Sequence, residues 1–530
     1  MNRHSITLPD FFKSGMIFQR DKEIHIYGDA APLAAVAADF YNADSSASGH
    51  LQPILSGKTH ADTSGHFLLT LPPLPASESL SLQIYAENTG EPPILLTDIS
   101  FGDIWIAAGQ SNMEFFLKYD KDFEAVSRLP RNPEIHMFNM PQQAFCGHRS
   151  HNRSGYGYWF RDDDSAVNTF SAPAYSFARE IQKAAGIPIG IIGCNWGGSS
   201  ASAWVPEEVL QKPPLDTYLK AYEDAVRDTC SDAIREVSLA GWTFEDSLQH
   251  SIAFEPLLYG MSRTEQLTYM KEHETDPVIP MGPYNFNRPC GLYGQMLSDL
   301  IPFSIKGVLW YQGESDAGEL APMYDKLLSG LIRAWRSNWQ DNFPFLLVQL
   351  APFGEWLSCD SKGYAIVREK QELTADTLPD VFLTGIMDLG SYYDIHPKEK
   401  MEVGRRLALL ARGHVYGEPI LCDSPKAVSA SLTEEGTILV SFAHAEGLNP
   451  GKGSSDFLLH TEGKDPQSVP PAAVKISGTE VILTPPDTLS LTDASCRVSL
   501  GYRDYAEIHL QNAAGLTALP FQLPVQRRSL

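Results

Sequence analysis

The sequence predicts an α/β fold: a parallel sheet between helix layers in the middle of the chain, with a β-sandwich domain at each end. Three observations point to it. Apolar runs beginning at Ile104, Ile189, Val308, Phe345 and Val381 are separated by helical stretches, the alternation that builds parallel sheets. Residues 1 to about 98 and about 418 to 530 instead alternate on a two-residue period between Pro-, Gly- and Ser-rich turns. The chain of 530 residues also exceeds what a single core holds, since cores stop growing at about 250 to 300 residues.

Taken in order, residues 1–98 hold the alternating stretches 23–27, 67–71 and 80–85, which read as a small all-β domain. Residues 99–417 form the α/β domain. Its helices include 173–185, with Ala174, Phe177, Ala178, Ile181 and Ala185 in register and Gly186 as a stop, and 323–335, with Leu327, Leu328, Leu331, Ile332 and Trp335 on one face. Residues from about 206 to 290 interrupt the alternation with a charge-mixed helical segment holding Tyr218, Tyr222, Val226, Phe244 and Tyr269. This is an insertion placed to shape a substrate pocket. Residues 418–530 return to strands, for example 437–442 and 474–483, with no charged cluster or aromatic stripe, so a structural cap is the expectation.

The chemistry gathers where the strands end. Gly109-Gln110-Ser111-Asn112-Met113 follows the run 104–108 and sets a serine hydroxyl at the carboxyl edge of a buried strand, where open α/β sheets carry their reactive groups. By itself such a turn is also an ordinary strand-to-helix crossing with serine as the N-cap. Partners elsewhere favour a nucleophile. Asp394-Ile395-His396-Pro397 follows the run 381–387 and opens a helical pattern carrying Met401, Gly404, Leu407, Ala408 and Ala411. A serine hydroxyl needs a neutral imidazole to take its proton and a carboxylate to hold the other ring nitrogen, which makes Ser111, His396 and Asp394 the candidate catalytic set.

Two further turns complete it. The strand 307–310 runs into Tyr311-Gln312-Gly313-Glu314-Ser315, and 187–193 runs into Cys194-Asn195-Trp196-Gly197-Gly198-Ser199-Ser200. Glycines there let backbone N–H groups approach a ligand. Acyl transfer requires donors aimed at the negative oxygen of its tetrahedral intermediate, and the N–H of Ser111, the N–H of Gly197 or Gly198 and the Gln312 amide are the expected ones.

On these residues the chain resembles the sialate O-acetylesterase family of SGNH-type hydrolases, which deacetylate sugars. The matching stretches are 104–114 (IWIAAGQSNME), 191–204 (IIGCNWGGSSASAW), 305–315 (IKGVLWYQGES), 364–371 (YAIVREKQ) and 395–408 (IHPKEKMEVGRRLA). The first and third are fairly specific for this family and its relatives among plant-polysaccharide acetylesterases, and residues 8–20 (LPDFFKSGMIFQR) resemble the opening of full-length bacterial members. The resemblance implies a three-layer αβα SGNH-like core and serine hydrolase chemistry on acetyl esters of carbohydrates, without metal or cofactor. It also implies supporting or substrate-facing positions for Gln110, Asn112, Glu314, Arg368 and Trp196, with Trp204 a second ring able to stack on a sugar.

Two departures from the superfamily pattern matter. Its acid stands three residues before the histidine, where this chain has Tyr393; Asp394 stands two before. Asp388 reaching in, or a backbone carbonyl serving a Ser-His dyad, are the alternatives to Asp394. The usual Asn of the third block is replaced by Gln312-Gly313-Glu314, as in the sialate esterase branch.

Composition narrows the partners. A formal charge of −24, from 41 basic and 65 acidic residues, argues against a nucleic-acid or anionic-membrane surface. A local arginine such as Arg368 could still pair the carboxylate of an anionic sugar. Seven widely spaced cysteines without Cys-x-x-Cys, and histidines without HExxH spacing, suit reduced thiols and give no metal motif. No apolar segment of signal-peptide or membrane-spanning length is seen, so a cytoplasmic protein is expected. The expected partner is an acetylated mono- or oligosaccharide, either sialic acid or fragments of xylan, mannan or xyloglucan. A lipase or thioesterase with a long acyl channel, or a noncatalytic carbohydrate-binding protein, are the rival readings. One sequence reveals nothing of oligomeric state.

Overall fold

The structure is a computed structural model that describes residues 6–527 apart from 43–51, 149–154, 228–231, 240–257, 273–278, 358, 453–455, 462–464, 471–472 and 487–495. Its strands begin with β1 (Ile17–Gln19), β2 (Ile24–Asp29), β3 (Ala35–Asn42), β4 (Leu55–His60), β5 (His66–Leu71) and β6 (Ser77–Ala86), which form the N-terminal β region. The long β7 (Ile94–Gly109) follows, then β8 (Ile135–Asn139), β9 (Trp159–Arg161), β10 (Ile189–Asn195), β11 (Gly307–Tyr311) and β12 (Phe345–Val348). A short hairpin, β13 (Glu355–Trp356) and β14 (Cys359–Asp360), precedes β15 (Val381–Thr384).

The central sheet runs β15-β12-β11-β7-β10-β8-β9, parallel throughout except for the edge strand β9. Every residue of β8, β10, β11 and β12 is buried; β10, β11 and β12 accordingly read as apolar runs, whereas β8, interrupted by His136 and Asn139, does not. Alternate positions feed two cores. Trp105, Ala107, Ile191 and Leu309 pack with Phe177 and Leu407, from the helices Ala172–Ala185 and Lys400–Leu410. Ile106, Ile192, Val308 and Trp310 pack with Leu328 and Trp335 of the helix Tyr324–Trp339. A Cβ on Gly404 would lie 2.2 Å from the Pro173 carbonyl oxygen, so the first two helices meet at a distance no side chain there allows.

The strand β7 joins two parts of the molecule. Up to Phe101 it pairs antiparallel with β6; from Asp103 onward it pairs parallel with β10, and from Trp105 with β11. The boundary expected at residue 98 therefore falls inside one strand, because the change is of pairing partner and not of chain direction. Beyond residue 417, the described residues form an eight-stranded sheet between Lys426 and Arg527, antiparallel except where Lys426–Leu432 and Phe521–Arg527 run parallel. No described helix is long and apolar enough to cross a membrane.

Candidate active site

The end of β7 is shaped by Gly109. Its φ is +139°, and a Cβ there would lie 2.1 Å from the Tyr311 carbonyl oxygen on the neighbouring strand, so only glycine fits. Gln110 is the cap residue and Ser111 the first residue of a single helical turn, Ser111–Glu114. The serine does not cap that turn. Its Oγ lies 2.9 Å from His396 Nε2, with Ser111 3% and His396 2% exposed.

His396 sits on the segment between β15 and the helix Lys400–Leu410, whose first N–H groups, on Lys400 and Met401, donate to Asp120 Oδ2 at 2.7 and 3.0 Å. Its ring is flanked by Tyr259, with centroids 4.5 Å apart, and by the perpendicular ring of Trp356 at 5.1 Å. Burial, and then the cations Lys400 and Lys398, hold its pKa well below the usual 6.5, so the imidazole is neutral near pH 7. A neutral imidazole facing a serine hydroxyl can act as a general base.

The other ring nitrogen is differently served. Nδ1 has no hydrogen-bond partner among the described residues, and Asp394 Oδ1 stands 3.9 Å from it. That same oxygen accepts the backbone N–H of His396 at 2.8 Å, while Oδ2 faces Lys398 Nζ at 3.2 Å. Asp388 is not available: Arg406 binds both its oxygens at 2.7 Å. Of the two carboxylates weighed from the sequence, Asp394 is the one brought to the ring, at a distance beyond a hydrogen bond.

A buried polar chain lies beneath the serine. Asn112 donates through Nδ2 to Glu314 Oε1 and, at 3.0 Å, to the Ile395 carbonyl, while its Oδ1 accepts Lys400 Nζ at 2.5 Å. Burial lowers the Lys400 pKa and raises that of Glu314. Gln110 Oε1 accepts from Gln312 Nε2 at 3.2 Å and from the Ser315 N–H at 3.1 Å, which ties the first polar turn to the third.

Two expected oxyanion donors prove committed elsewhere. The Gly197 N–H donates to Glu114 Oε2 at 2.7 Å. The Gln312 amide, wholly buried, donates to Asp316 Oδ2 at 2.5 Å, to the Ser199 carbonyl at 3.1 Å and to Gln110. The N–H groups of Ser111 and Gly198 have no acceptor among the described residues. His414, Cys422 and Asp423 alone among the described His, Cys, Asp and Glu residues are close enough to share an ion, and none belongs to this site.

The profile of the family described as carbohydrate esterase, sialic acid-specific acetylesterase, matches residues 101–241 and 284–411, together just over half of the chain. The chain belongs to this family. Sialate O-acetylesterase of Rattus norvegicus is 25% identical over 360 residues, 61% of this chain and 58% of that protein; the Homo sapiens protein of the same name is 24% identical over 446 residues, 77% and 71% respectively. The match thus spans less than two thirds of the rat relative. The crystal structure of a carbohydrate acetylesterase from Xanthomonas citri superposes with a TM-score of 0.70 at 26% identity, covering 98% of this chain and 99% of that one. The fold is therefore that of a carbohydrate esterase, a mixed α/β fold with a large sheet and additional β structure.

Within this family member, three residues expected to face substrate do not. Arg368 is wholly buried, and its Nη2 donates at 2.7 Å to the carbonyls of both Arg503 and Asp504, so it joins the helix Tyr364–Thr377 to the C-terminal region. Trp196 is covered by Phe286, stacked at 5.0 Å. Trp204 is buried and donates to Ser199 Oγ at 2.9 Å. Each of the three side chains is thus enclosed by protein, with Arg368 Nε left without a hydrogen-bond partner among the described residues. Phe244 of the insertion lies outside the described residues.

Sequence reasoning missed Lys400, Asp120, Glu114, Tyr259 and Trp356. The nearness of Lys400 to His396 in the chain was the one local signal for it, since the helix it opens begins directly after the histidine's segment. Glu114 stands in the serine's own helical turn, and Asp120, Tyr259 and Trp356 come from segments whose approach leaves no trace in spacing.

Proposed function

We propose that this family member hydrolyses acetyl esters of carbohydrates through an acyl-enzyme on Ser111, its central sheet serving as the αβα core of an SGNH-type hydrolase. The observation that carries the reading is the 2.9 Å approach of His396 Nε2 to Ser111 Oγ at the carboxyl end of β7, in a chain of acetylesterase family. His396 takes the hydroxyl proton as Oγ bonds to the acetyl carbon, and the carbonyl electron pair moves onto oxygen. The N–H groups of Ser111 and Gly198 are the donors left to meet that oxyanion. As the tetrahedral intermediate collapses, the bond to the sugar oxygen breaks and His396 returns the proton to it. Water then attacks the acetyl-serine with the same base, and acetate leaves. Asp394 stabilises the imidazolium by its charge, at a distance that one side-chain adjustment would close.

The test is acetate release from O-acetyl sialic acid and from acetylated xylo-, manno- and xyloglucan oligosaccharides, with 4-nitrophenyl acetate and octanoate as acyl-length controls. Ser111→Ala is expected to lower kcat by about 10⁴-fold or more. Activity that survives this change removes the nucleophile assignment, and hydrolysis of octanoate without any sugar acetate removes the substrate class.

A further inference from the structure

Beside the third polar turn lies a cavity of about 380 Å³ between that turn and the inserted helix Asp216–Arg227. Such a volume sits at the small end of ligand-binding clefts, which run from about 300 to 1,000 Å³. Its walls adjoin the nucleophile's own supports. Ser315, which lines it, donates its backbone N–H to Gln110 at 3.1 Å, next to Ser111. Asp316, also lining it, accepts from Ser200 Oγ at 2.6 Å and from the Gln312 amide.

The lining has a definite chemistry. Tyr218 and Tyr222, one helical turn apart, offer rings, with Leu320 and Met281 apolar beside them. Tyr218 is 7% exposed and its hydroxyl has no hydrogen-bond partner among the described residues, a costly state for a buried polar group unless something else meets it. Burial and the Asp316 carboxylate raise its pKa, so it stays a donor. Asn287 spends its Oδ1 on the Ser200 N–H at 2.7 Å, and its amide N–H groups have no acceptor among the described residues. Rings with hydroxyl and amide groups around them suit a sugar, which has an apolar face and a polar rim.

The charge is one-sided. Asp316 and Glu319 line the cavity and no lysine or arginine does, among the described residues. Arg288, next to Asn287 in the chain, donates instead to the carbonyls of Ala144 and Asn285. A carboxylate-bearing sugar would meet like charge on the lining, and the guanidinium that acts on Tyr222, that of Arg288, is already held by two carbonyls.

We propose that this cavity is a subsite for a neutral sugar unit of the acetylated carbohydrate, with Tyr218 donating its hydroxyl to a sugar oxygen. The assignment rests on the carbohydrate esterase reading above. It separates neutral polysaccharide fragments from sialic acid as the preferred substrate class.

Calorimetric titration with xylotriose and with N-acetylneuraminic acid tests it, on the 530-residue chain carrying Ser111→Ala and alongside the acetate-release panel on the wild type. Xylotriose is expected to bind at least tenfold more tightly than N-acetylneuraminic acid. Adding Tyr218→Phe should weaken xylotriose about tenfold, the worth of one hydrogen bond to a buried donor. Adding Ala221→Trp, which fills the cavity from the same helix, should abolish binding. Tighter binding of N-acetylneuraminic acid, no xylotriose binding, or xylotriose binding indifferent to both substitutions would overturn the subsite while leaving the esterase reading intact. No acetate released from any sugar by the wild type would instead bring down the esterase reading, and the subsite with it.

Discussion

On the serine side of His396 the structure leaves no slack. Gly109 is pressed against Tyr311, Asn112 is held by Glu314, Ile395 and Lys400, and Gln110 Oε1 accepts from both Gln312 and Ser315 of the third polar turn. On the acid side Asp394 spends one oxygen on a backbone N–H and the other on Lys398, and stands 3.9 Å from the ring. The difference follows from placement. The serine follows a central strand that is paired on both sides up to Gly109, whereas Asp394 lies in the connection between β15 and the next helix, where its own turn claims it. Position of the nucleophile is thus set by the sheet, and support of the base is set by a loop.

The serine side should break first. Gly109→Ala puts a methyl group into the Tyr311 carbonyl and demands a φ that alanine avoids. A loss of about 3 kcal/mol in urea unfolding is expected, and the fraction that still folds should lose about 10³-fold in kcat/KM because Ser111 is displaced. A near-neutral result would mean that the strand end can shift, and that the rigidity argued for this side is absent.

The acid side should be more tolerant. Asp394→Asn keeps an acceptor for the His396 N–H and removes only charge, so kcat/KM should fall about tenfold. Asp394→Ala also strips the acceptor from that turn and should cost about 100-fold. Where a triad carboxylate bonds the ring directly, the Asn change costs about 10⁴-fold. Steady-state kinetics on the two variants distinguishes these cases, and a 10⁴-fold loss for Asn would mean that the carboxylate closes on Nδ1 during turnover.

The same contrast governs what could be read from the sequence. Five of the six parallel strands were legible because burial on both faces leaves apolar runs, β8 being hidden by His136 and Asn139, and Ser111 and His396 were legible because each follows such a run. The partners of those groups were not. Gly197 and Gln312 read as free donors, since nothing in spacing shows that Glu114 reaches Gly197 from another turn or that Asp316 folds back onto Gln312. Arg368 read as either a supporting or a substrate-facing arginine because its acceptors, the carbonyls of Arg503 and Asp504, lie more than a hundred residues away. Lys400, in the first turn of a helix, has the pattern of a solvated lysine yet is wholly buried. Long-range polar contacts have no periodicity, and periodicity was the signal.

The smallest expected effect concerns the base itself. With the His396 pKa well below 6.5, the ring stays unprotonated as pH falls through 6.5, so kcat/KM should hold there and fall only in more acid solution. The unfolded chain binds a proton near 6.5 that the folded one refuses, so this histidine also removes stability as pH drops below that value. Lys398 is one of the two cations that depress it, and it also occupies Asp394 Oδ2. Lys398→Gln takes away the cation and releases the carboxylate, and both changes favour the imidazolium. The acid limb of the pH profile, followed with 4-nitrophenyl acetate, should therefore move to higher pH by roughly half a unit. A limb that stays in place would show that burial and Lys400 set the base, and that Lys398 and the carboxylate it holds contribute nothing to its charge.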